Sequence, residues 1–222
     1  GAIRMRIAGL LRVDGCFRSN GGAGVWEGTG SGGSIYLTIG DLAGIGVIQA
    51  NGGNVSGHSP GGGGRVALAL TKTGADFLVF KGTIEALSGI YLSSPTDAKS
   101  AGAGTVYMQR TSDPFAHGSV MVNNNNYTAT LNTDVPPFSP GNIANEVEFV
   151  PFRIANAARL RLTNNFMLGD IFLQSTNAWL DLGSNTLTVR SRPHPLGAGV
   201  VTNYGAIVWW PYVPKGIVFS TW

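Results

Sequence analysis

A glycine-rich repeat of about 31 residues constrains this chain more than any other feature of its sequence. Asn-Gly-Gly triplets begin at Asn20 and again 31 residues later at Asn51, each between an apolar run and a loop rich in glycine and serine. A looser copy of the apolar run opens at Gly104, 40 residues after the corresponding Gly64. Self-similarity with a period of about 20 to 50 residues is typical of solenoids, propellers and repeat arrays. We therefore expect stacked repeats rather than one closed core.

The alternation of residue types within the apolar runs predicts strands and their register. Successive side chains of a strand point to opposite faces of the sheet. Strands are expected near residues 3–7, 10–13, 16–19, 34–39, 46–50, 65–70, 77–80, 83–86 and 105–109. Their alignment gives three inward columns: Ile3, Ile35, Val66 and Val106; Met5, Leu37, Leu68 and Met108; Phe17, Ile48 and Ile84. Because like residues align with like, the strands are predicted to be parallel and stacked.

This pattern predicts an all-β fold, a parallel β-helix (β-solenoid) in a single elongated domain. A propeller is disfavoured because no two-residue hairpin turn separates the runs. Three segments are expected: glycine-rich β-helix repeats at 1–110, an irregular loop-rich excursion at 111–146, and further β-helix coils with an aromatic C-terminal end at 147–222. Helical periodicity is almost absent.

Composition narrows the classes of function. Charged residues make up 12% of the chain, about half the usual fraction, and 33 glycines take their place, as is common in secreted β-rich proteins. The net charge of +3 resides at the start of the chain, and the remainder is balanced. Four arginines and one aspartate make up this local excess: Arg4, Arg6, Arg12, Arg18 and Asp14. A nucleic-acid partner is not expected, because such proteins normally present a clustered basic face interleaved with aromatic residues, whereas the basic cluster here is confined to one strand pair.

Single residues and ends add further expectations. Cys16 is the only cysteine, so no disulfide can form within the chain, and it aligns with small strand residues of later repeats. No apolar stretch reaches the roughly 18 residues of a membrane span. Gly1 occupies the repeat position of Gly33, so we expect the chain to start inside a repeat of a longer protein.

Four consecutive asparagines, Asn123 to Asn126, admit two interpretations. Amides at one corner of successive coils could form a hydrogen-bonded ladder. A turn is favoured, because consecutive residues of a strand face opposite ways and asparagine tolerates the left-handed backbone conformation.

The runs GSGGSIYL, IQANGG and GGGGRVAL resemble the glycine-rich repeat of very large secreted or cell-surface bacterial proteins that form right-handed β-helices. LDLGSNTLTV is similar to strand repeats of autotransporter passenger regions. The resemblance covers most of residues 1–110 and, more loosely, 147–192. It implies a right-handed helix, an extracellular or cell-surface location, and a structural or adhesive segment without catalysis. Its partners would be adjoining coils of a longer chain or other subunits.

The alternative is a carbohydrate-active β-helix, either a glycan-binding module or a polysaccharide lyase or hydrolase. Such an enzyme needs carboxylates a few ångströms apart. Asn132-Thr133-Asp134 resembles the first motif of the polygalacturonases, but no Asp-Asp pair follows, and the segments around His58 and His117 precede it. No catalytic residue is therefore assigned.

A second acidic pair, Glu146 and Glu148, would share one face of a strand. We expect it to be a solvated edge facing Arg153 or Arg159 rather than an acid–base pair. No metal or cofactor is expected, because neither an EF-hand loop nor a phosphate-binding glycine loop leading to a helix is present.

Exposed aromatic rings are the candidate glycan-stacking residues, because flat rings stack on sugar faces. Tyr36 and Tyr107 take outward positions in the repeat, and Trp209, Trp210 and Tyr212 crowd the C-terminal end. The alternative is that the C-terminal rings cover the last coil or contact an adjoining segment.

Overall fold

The computed structural model describes residues 1–25, 28–57, 59–93, 101–114, 117–135 and 147–210. Within them the fold is all-β, with short 3-10 turns at Phe77–Val79 and Val147–Phe149 and no longer helix. The strands of the first half are β1 (Ala2–Arg12), β2 (Cys16–Arg18), β3 (Ser34–Ala43), β4 (Val47–Gln49), β5 (Arg65–Leu70), β6 (Thr83–Glu85) and β7 (Thr105–Gln109). Those of the second half are β8 (Ser119–Asn123), β9 (Thr133–Val135), β10 (Pro151–Ala155), β11 (Arg159–Leu162), β12 (Phe166–Leu168), β13 (Asp170–Leu173), β14 (Trp179–Asp181), β15 (Thr186–Val189), β16 (Val200–Thr202) and β17 (Ala206–Trp209).

These strands form four sheets, and every strand pair except one is parallel. The largest sheet has the order β1-β3-β5-β7-β8-β10-β13 and runs through both halves. The other three sheets, β2-β4-β6, β9-β11-β14-β16 and β12-β15-β17, each stay within one half. The largest sheet is thus the one that joins the two halves of the described chain.

The predicted register of the first half is confirmed. Ile3 pairs with Ile35, Ile35 with Val66 and Val66 with Val106, all on parallel neighbouring strands. The predicted column of the short strands is confirmed as well, because Phe17 pairs with Ile48 and Ile48 with Ile84. Inward side chains of β3 and β5 are almost completely buried in one apolar core: Ile35, Leu37, Ile39, Val66, Leu68 and Leu70.

Close packing of the backbone explains why glycine recurs with the strand period. A Cβ on Gly64 would overlap the carbonyl oxygen of Gly33, and one on Gly104 would overlap that of Gly64. The loops are joined in the same way, since Gly53 N donates to Gly30 O at 2.9 Å and Gly61 N donates to Gly53 O at 3.0 Å. Glycine is required where two backbones approach this closely.

Asparagine amides hold the corner that follows the short strands. Asn20 Oδ1 accepts from the backbone N–H of Asn51 at 2.9 Å, and Asn51 Oδ1 accepts from that of Leu87 at 2.8 Å. The same bond recurs where the buried amide of Asn124 accepts from Ser88 N at 3.0 Å. Each amide satisfies a backbone donor of a neighbouring repeat, which a buried N–H group requires.

The tetra-asparagine segment forms the expected turn. Asn125 and Asn126 have positive φ angles of 49° and 63°, and Tyr127 N donates to Asn124 O at 2.8 Å. A contact between amides of different repeats does occur, because Asn177 Nδ2 donates to Asn126 Oδ1 at 3.0 Å.

One expectation about local structure is corrected, and one loop-rich segment includes short strands. Residues 77–79 form a 3-10 turn instead of a strand, because the Asp76 carboxylate accepts from Leu78 N at 2.9 Å and caps the turn. The 111–146 segment, expected to be irregular, contains strands β8 and β9.

At the single antiparallel pair, β7 with β8, the buried face of the large sheet changes from one side to the other. Val106, which faces the first core, pairs with Met121, and the outward Tyr107 pairs with the buried Val120. One row of paired side chains therefore begins exposed in the first half and ends buried in the second: Arg4, Tyr36, Ala67, Tyr107, Val120, Phe152 and Ile171. The two cores consequently lie on opposite faces of one continuous sheet.

The second half repeats the inward alternation that its sequence predicts. The residues of its core at alternating positions are all buried: Leu160, Leu162, Ile171, Leu173, Leu180, Leu182, Leu187 and Val189. None of the described helical segments is long and apolar enough to span a membrane.

Candidate binding surfaces

Tyr36 stands on the outer face of the first half with 42% of its surface exposed, as the strand alternation predicts. Its neighbours in the same row are Arg4 on β1 and Ala67 on β5. The Arg4 guanidinium lies 5.5 Å from the ring centroid, so one side of the ring is shielded by a cation–π contact. Its neighbour on the other side, Ala67, has a side chain of a single methyl group.

Tyr107 occupies the predicted face but is half-buried. Its ring packs against the second core, and its hydroxyl donates to Gln109 Oε1 at 3.0 Å and accepts from Gly118 N at 3.1 Å. The cause is the pairing of β7 with β8, which brings the second core onto this face. Tyr107 is therefore a side wall of the surface rather than an open stacking ring.

Trp209 is half-buried against the second core and lies edge-on to His194, with ring centroids 5.0 Å apart. His194 Nε2 lies 2.6 Å from Asp170 Oδ1, and His194 Nδ1 lies 2.8 Å from Pro195 O. Both ring nitrogens face acceptors, an arrangement that the protonated imidazole satisfies completely. These bonds, led by the one to the Pro195 carbonyl, raise the pKa of His194 above its ordinary value.

Trp210 is 45% exposed but belongs to a stack of flat groups. The Arg190 guanidinium lies 5.2 Å from the Trp210 ring and 4.4 Å from the Phe149 ring, and His117 stacks on Phe149 at 4.4 Å. Glu148, which we expected to face Arg153 or Arg159, forms its ion pair with Arg190 at 3.0 Å instead. The stack ties the end of β15 to the turn before β10. Glu146 and Tyr212 lie outside the described residues.

Two further aromatic rings on the outer faces carry arginines and were not among the sequence candidates. Arg153 lies 5.7 Å from the ring of Phe172, and Arg159 lies 4.5 Å from the ring of Trp179. Each pair occupies one row of two neighbouring parallel strands, as Arg4 and Tyr36 do. Aligning the strand ending in RLRL with the one ending in WLDL would have revealed the second pair from sequence.

The carboxylate singled out by the polygalacturonase-like motif is engaged in a surface ion pair. Asp134 accepts two hydrogen bonds from Arg161, at 2.8 and 2.9 Å, and both side chains are nearly half exposed. Arg161 and Asp134 are paired positions of β11 and β9. A half-exposed carboxylate held by both arms of a guanidinium is typical of a surface ion pair that joins two strands.

A groove of about 820 Å³ lies where the outer face of the first half meets the second half. Arg65 and Thr105 contribute from the first half, and Leu131 and Phe152 contribute from the second. The glycine loops around Ser31 and Pro60 also line it. The groove thus borders the arginine- and tyrosine-bearing face, and its polar lining combines hydroxyl side chains with the charged side chains of Arg65 and Asp134.

Among the described residues, no cluster of three or more histidine, cysteine, aspartate or glutamate side chains could hold a metal ion. Comparison of the chain with protein-family models, with characterised proteins and with solved structures finds no match, so its function must be argued from these surfaces alone.

Proposed function

We propose that this chain is a right-handed parallel β-helix that serves as a structural or adhesive segment of a large extracellular surface or fibre protein. The observation that carries the proposal is the unbroken register of aliphatic columns on parallel strands, from Ile3 to Val106. Stacked repeats of this kind bury apolar faces that no single repeat can bury alone.

The right-handed assignment rests on a general rule and on the junction at β7–β8. Parallel crossover connections within a sheet are right-handed in about 98% of cases. At the junction, β8 runs in the opposite direction to β7, and the buried face of the large sheet changes sides. The strands nevertheless continue to be added at the same edge of the sheet. A half-turn about the stacking direction has the same effect, so both halves keep the same hand.

The proposal includes no catalytic role, because the carboxylates considered as candidates are held in ion pairs and hydrogen bonds. Asp134 is paired with Arg161, and Glu148 is paired with Arg190. Asp170 accepts from three donors, including the hydroxyl of Ser191 at 2.8 Å. Carboxylates so engaged support structure.

The partner that fits this segment is another β-strand repeat at the free edge of β1. No described strand pairs with that edge, and Met5 is 36% exposed whereas its partner Leu37 is fully buried. An open strand edge with a half-covered apolar row favours pairing with further strands. The proposed partners are adjoining coils of a longer chain or other subunits.

Sedimentation of the chain over a range of concentrations tests this edge. Self-association should strengthen with concentration, and Met5→Lys should weaken it by placing a charge on the apolar row. Leu10→Lys is the matched control, because Leu10 lies on the same strand but is 58% exposed and pairs with Asp41. A monomer at all concentrations, or equal effects of both variants, would contradict the proposed edge pairing.

Glycan binding is the second candidate function, favoured by the exposed ring of Tyr36 beside Ala67. A glycan array combined with a reducing-end assay on the same sample separates binding from cleavage. We expect binding without release of reducing ends. Release that is lost in Asp134→Ala, with folding retained, would instead establish a hydrolase or lyase, since removing a general acid or base costs about 10²–10⁴-fold in rate.

A further inference from the structure

The part of the outer face of the first half that lies before residue 7 of β1 and residue 39 of β3 carries arginines and no carboxylate. We call it the arginine–tyrosine face and define it by the outward residues of β5, β7 and these first parts of β1 and β3. They are Ala2, Arg4, Arg6, Ser34, Tyr36, Thr38, Arg65, Ala67, Ala69, Thr105, Tyr107 and Gln109. This set contains no carboxyl group, so its formal charge is positive. The nearby carboxylates are already paired: Asp41, farther along β3, lies 3.7 Å from Lys72 Nζ, and Asp134, which lines the adjoining groove with Arg65, pairs with Arg161.

The arginines of this face lack the acidic partners that other arginines have. Arg12, Arg110, Arg161 and Arg190 each pair with an aspartate or glutamate. In contrast, no carboxylate of the described residues lies within 4.0 Å of the guanidinium groups on the face. Those three side chains, Arg4, Arg6 and Arg65, belong to residues that are exposed. Their charge is therefore available to a ligand.

The geometry spreads this charge over a length greater than one sugar ring. Arg4 and Arg6 are two residues apart on one strand, which separates them by about 7 Å. Arg65 lies two strands away from Arg4. It is in register with Ala2, so it is also displaced from Arg4 by two residues along the strand direction. With strands about 4.8 Å apart, that offset corresponds to about 12 Å. An extended ligand with repeated negative charges can contact all three at this spacing.

The centre of the face suits a flat, partly apolar ring. Ala67 and Ala69 form a low floor between the row neighbours Tyr36 and Thr38 on one side and Tyr107 on the other. Tyr36 is 42% exposed, and the Arg4 guanidinium lies 5.5 Å from the centroid of its ring. Sugar C–H faces stack on such a ring while guanidinium groups bind carboxylate or sulfate oxygens in pairs.

We propose that the arginine–tyrosine face binds an anionic polysaccharide, one that carries carboxylate or sulfate groups. The proposal rests on the second candidate function, glycan binding, and specifies its ligand class. Nucleic acid is the less suitable polyanion, because single-strand binding surfaces combine a basic groove with several aromatic platforms. Here one open ring lies beside a methyl-lined floor.

Titration calorimetry of the full chain tests the proposal with defined probes at low and physiological salt. The probes are a polygalacturonate oligosaccharide, a heparin oligosaccharide, a neutral cello-oligosaccharide and oligo-dT. We expect at least one anionic glycan to bind, tenfold or more tightly than the neutral one, with affinity that falls as salt rises.

Three variants locate the site. The triple variant Arg4→Gln, Arg6→Gln, Arg65→Gln should weaken binding by at least tenfold, and Tyr36→Leu should weaken it severalfold. The control is the double variant Arg110→Gln, Arg161→Gln, which removes arginines already paired with Asp76 and Asp134. Circular dichroism and thermal unfolding establish that each variant is folded.

The outcomes separate the two levels of the proposal. Binding of neutral glycans that depends on Tyr36 but not on the arginines would overturn the anionic ligand and retain glycan binding. Binding of no glycan at all would overturn both. Equal or stronger binding of oligo-dT with the same arginine dependence would reassign the face to nucleic acid.

Discussion

At the scale of single residues, the absence of a Cβ atom at particular glycines permits the backbones of neighbouring repeats to approach one another. Gly64 lies between Gly33 and Gly104 in one column, and its backbone bonds to both neighbouring repeats. Gly62, two residues earlier, has nothing closer to an added Cβ than the Gly102 carbonyl at 3.7 Å. Both positions are thus glycines of the same loop, but only Gly64 is packed closely against a neighbouring backbone.

Gly64→Ala should therefore destabilise the protein strongly, whereas Gly62→Ala should not. The added methyl at position 64 overlaps the Gly33 carbonyl, and overpacking of this kind costs about 1–3 kcal/mol or more. At position 62 the methyl meets ordinary contacts and restricts the unfolded chain, an effect of about 0.4–1 kcal/mol in favour of folding. Urea denaturation of both variants measures the difference. Equal free energies of unfolding would show that the column does not depend on close approach.

The sequence predicted the inward residues well because their alternation is local. Ile35 and Leu37 are apolar at every second position, and only one face of a strand can be buried in such a stack. It predicted Tyr107 less well, because burial of that ring depends on β8, which approaches from the opposite direction. A strand's own alternation carries no information about which neighbour will reverse the buried face.

At the scale of elements, the segment between β15 and β16 is fastened to β13 and β17 through one imidazole. His194 contacts Asp170, the Pro195 carbonyl and the edge of Trp209, and the positive charge of Arg153 opposes its protonation. The net effect raises the pKa of His194 in the folded protein. A group with a raised folded pKa stabilises the fold at low pH and loses that effect as pH rises.

We accordingly expect thermal stability to fall between about pH 6.5, the ordinary pKa of histidine, and the raised folded value above it. His194→Gln should abolish this step, because glutamine does not titrate. His117→Gln is the control, since it removes a different imidazole, and it should preserve the step. Thermal unfolding curves of the two variants, recorded over about three pH units around the ordinary pKa of histidine, show which variant loses the pH-dependent step. A step that survives in His194→Gln would assign it to another group.

The second half shows why element-level prediction from sequence was only partial there. Its strands have three to five residues and were recognisable from paired leucines such as Leu180 and Leu182. The ion pairs between strands were not, because Glu148 reaches Arg190 across a separation of 42 residues in the sequence. Periodicity indicates which face a residue occupies, but the partner on that face depends on the stacking of distant strands.

At the scale of the whole molecule, the register of the first half implies that repeats can be added. β3 and β5 are parallel partners, and residues 34–64 span the distance between equivalent glycines. A second copy of residues 34–64, inserted after Gly64, would place Ile35 of one copy beside Ile35 of the other. Because stability in stacked repeats is approximately a sum of neighbour terms, the longer chain should remain folded.

We expect the duplicated protein to unfold cooperatively at an equal or higher temperature and with a larger denaturant m-value, since it exposes more surface on unfolding. The control is the same insertion without Thr38 of the new copy. Losing one residue within the strand turns its following inward side chains to the solvent face, which should destabilise the protein. Equal stability of the two insertions would refute the stacked register.

The change of buried face at β7–β8 would also determine where the molecule extends under a pulling force. Three of its four sheets end within one half, and the fourth passes between halves through one antiparallel strand pair. Single hydrogen bonds such as that from Thr133 Oγ1 to Ala103 O accompany this pair. Elsewhere along the stack, a pulling force is shared among several sheets. If the chain is pulled along its stacking direction, extension would therefore begin between β7 and β8, and each half would keep its own core intact while the two halves move apart.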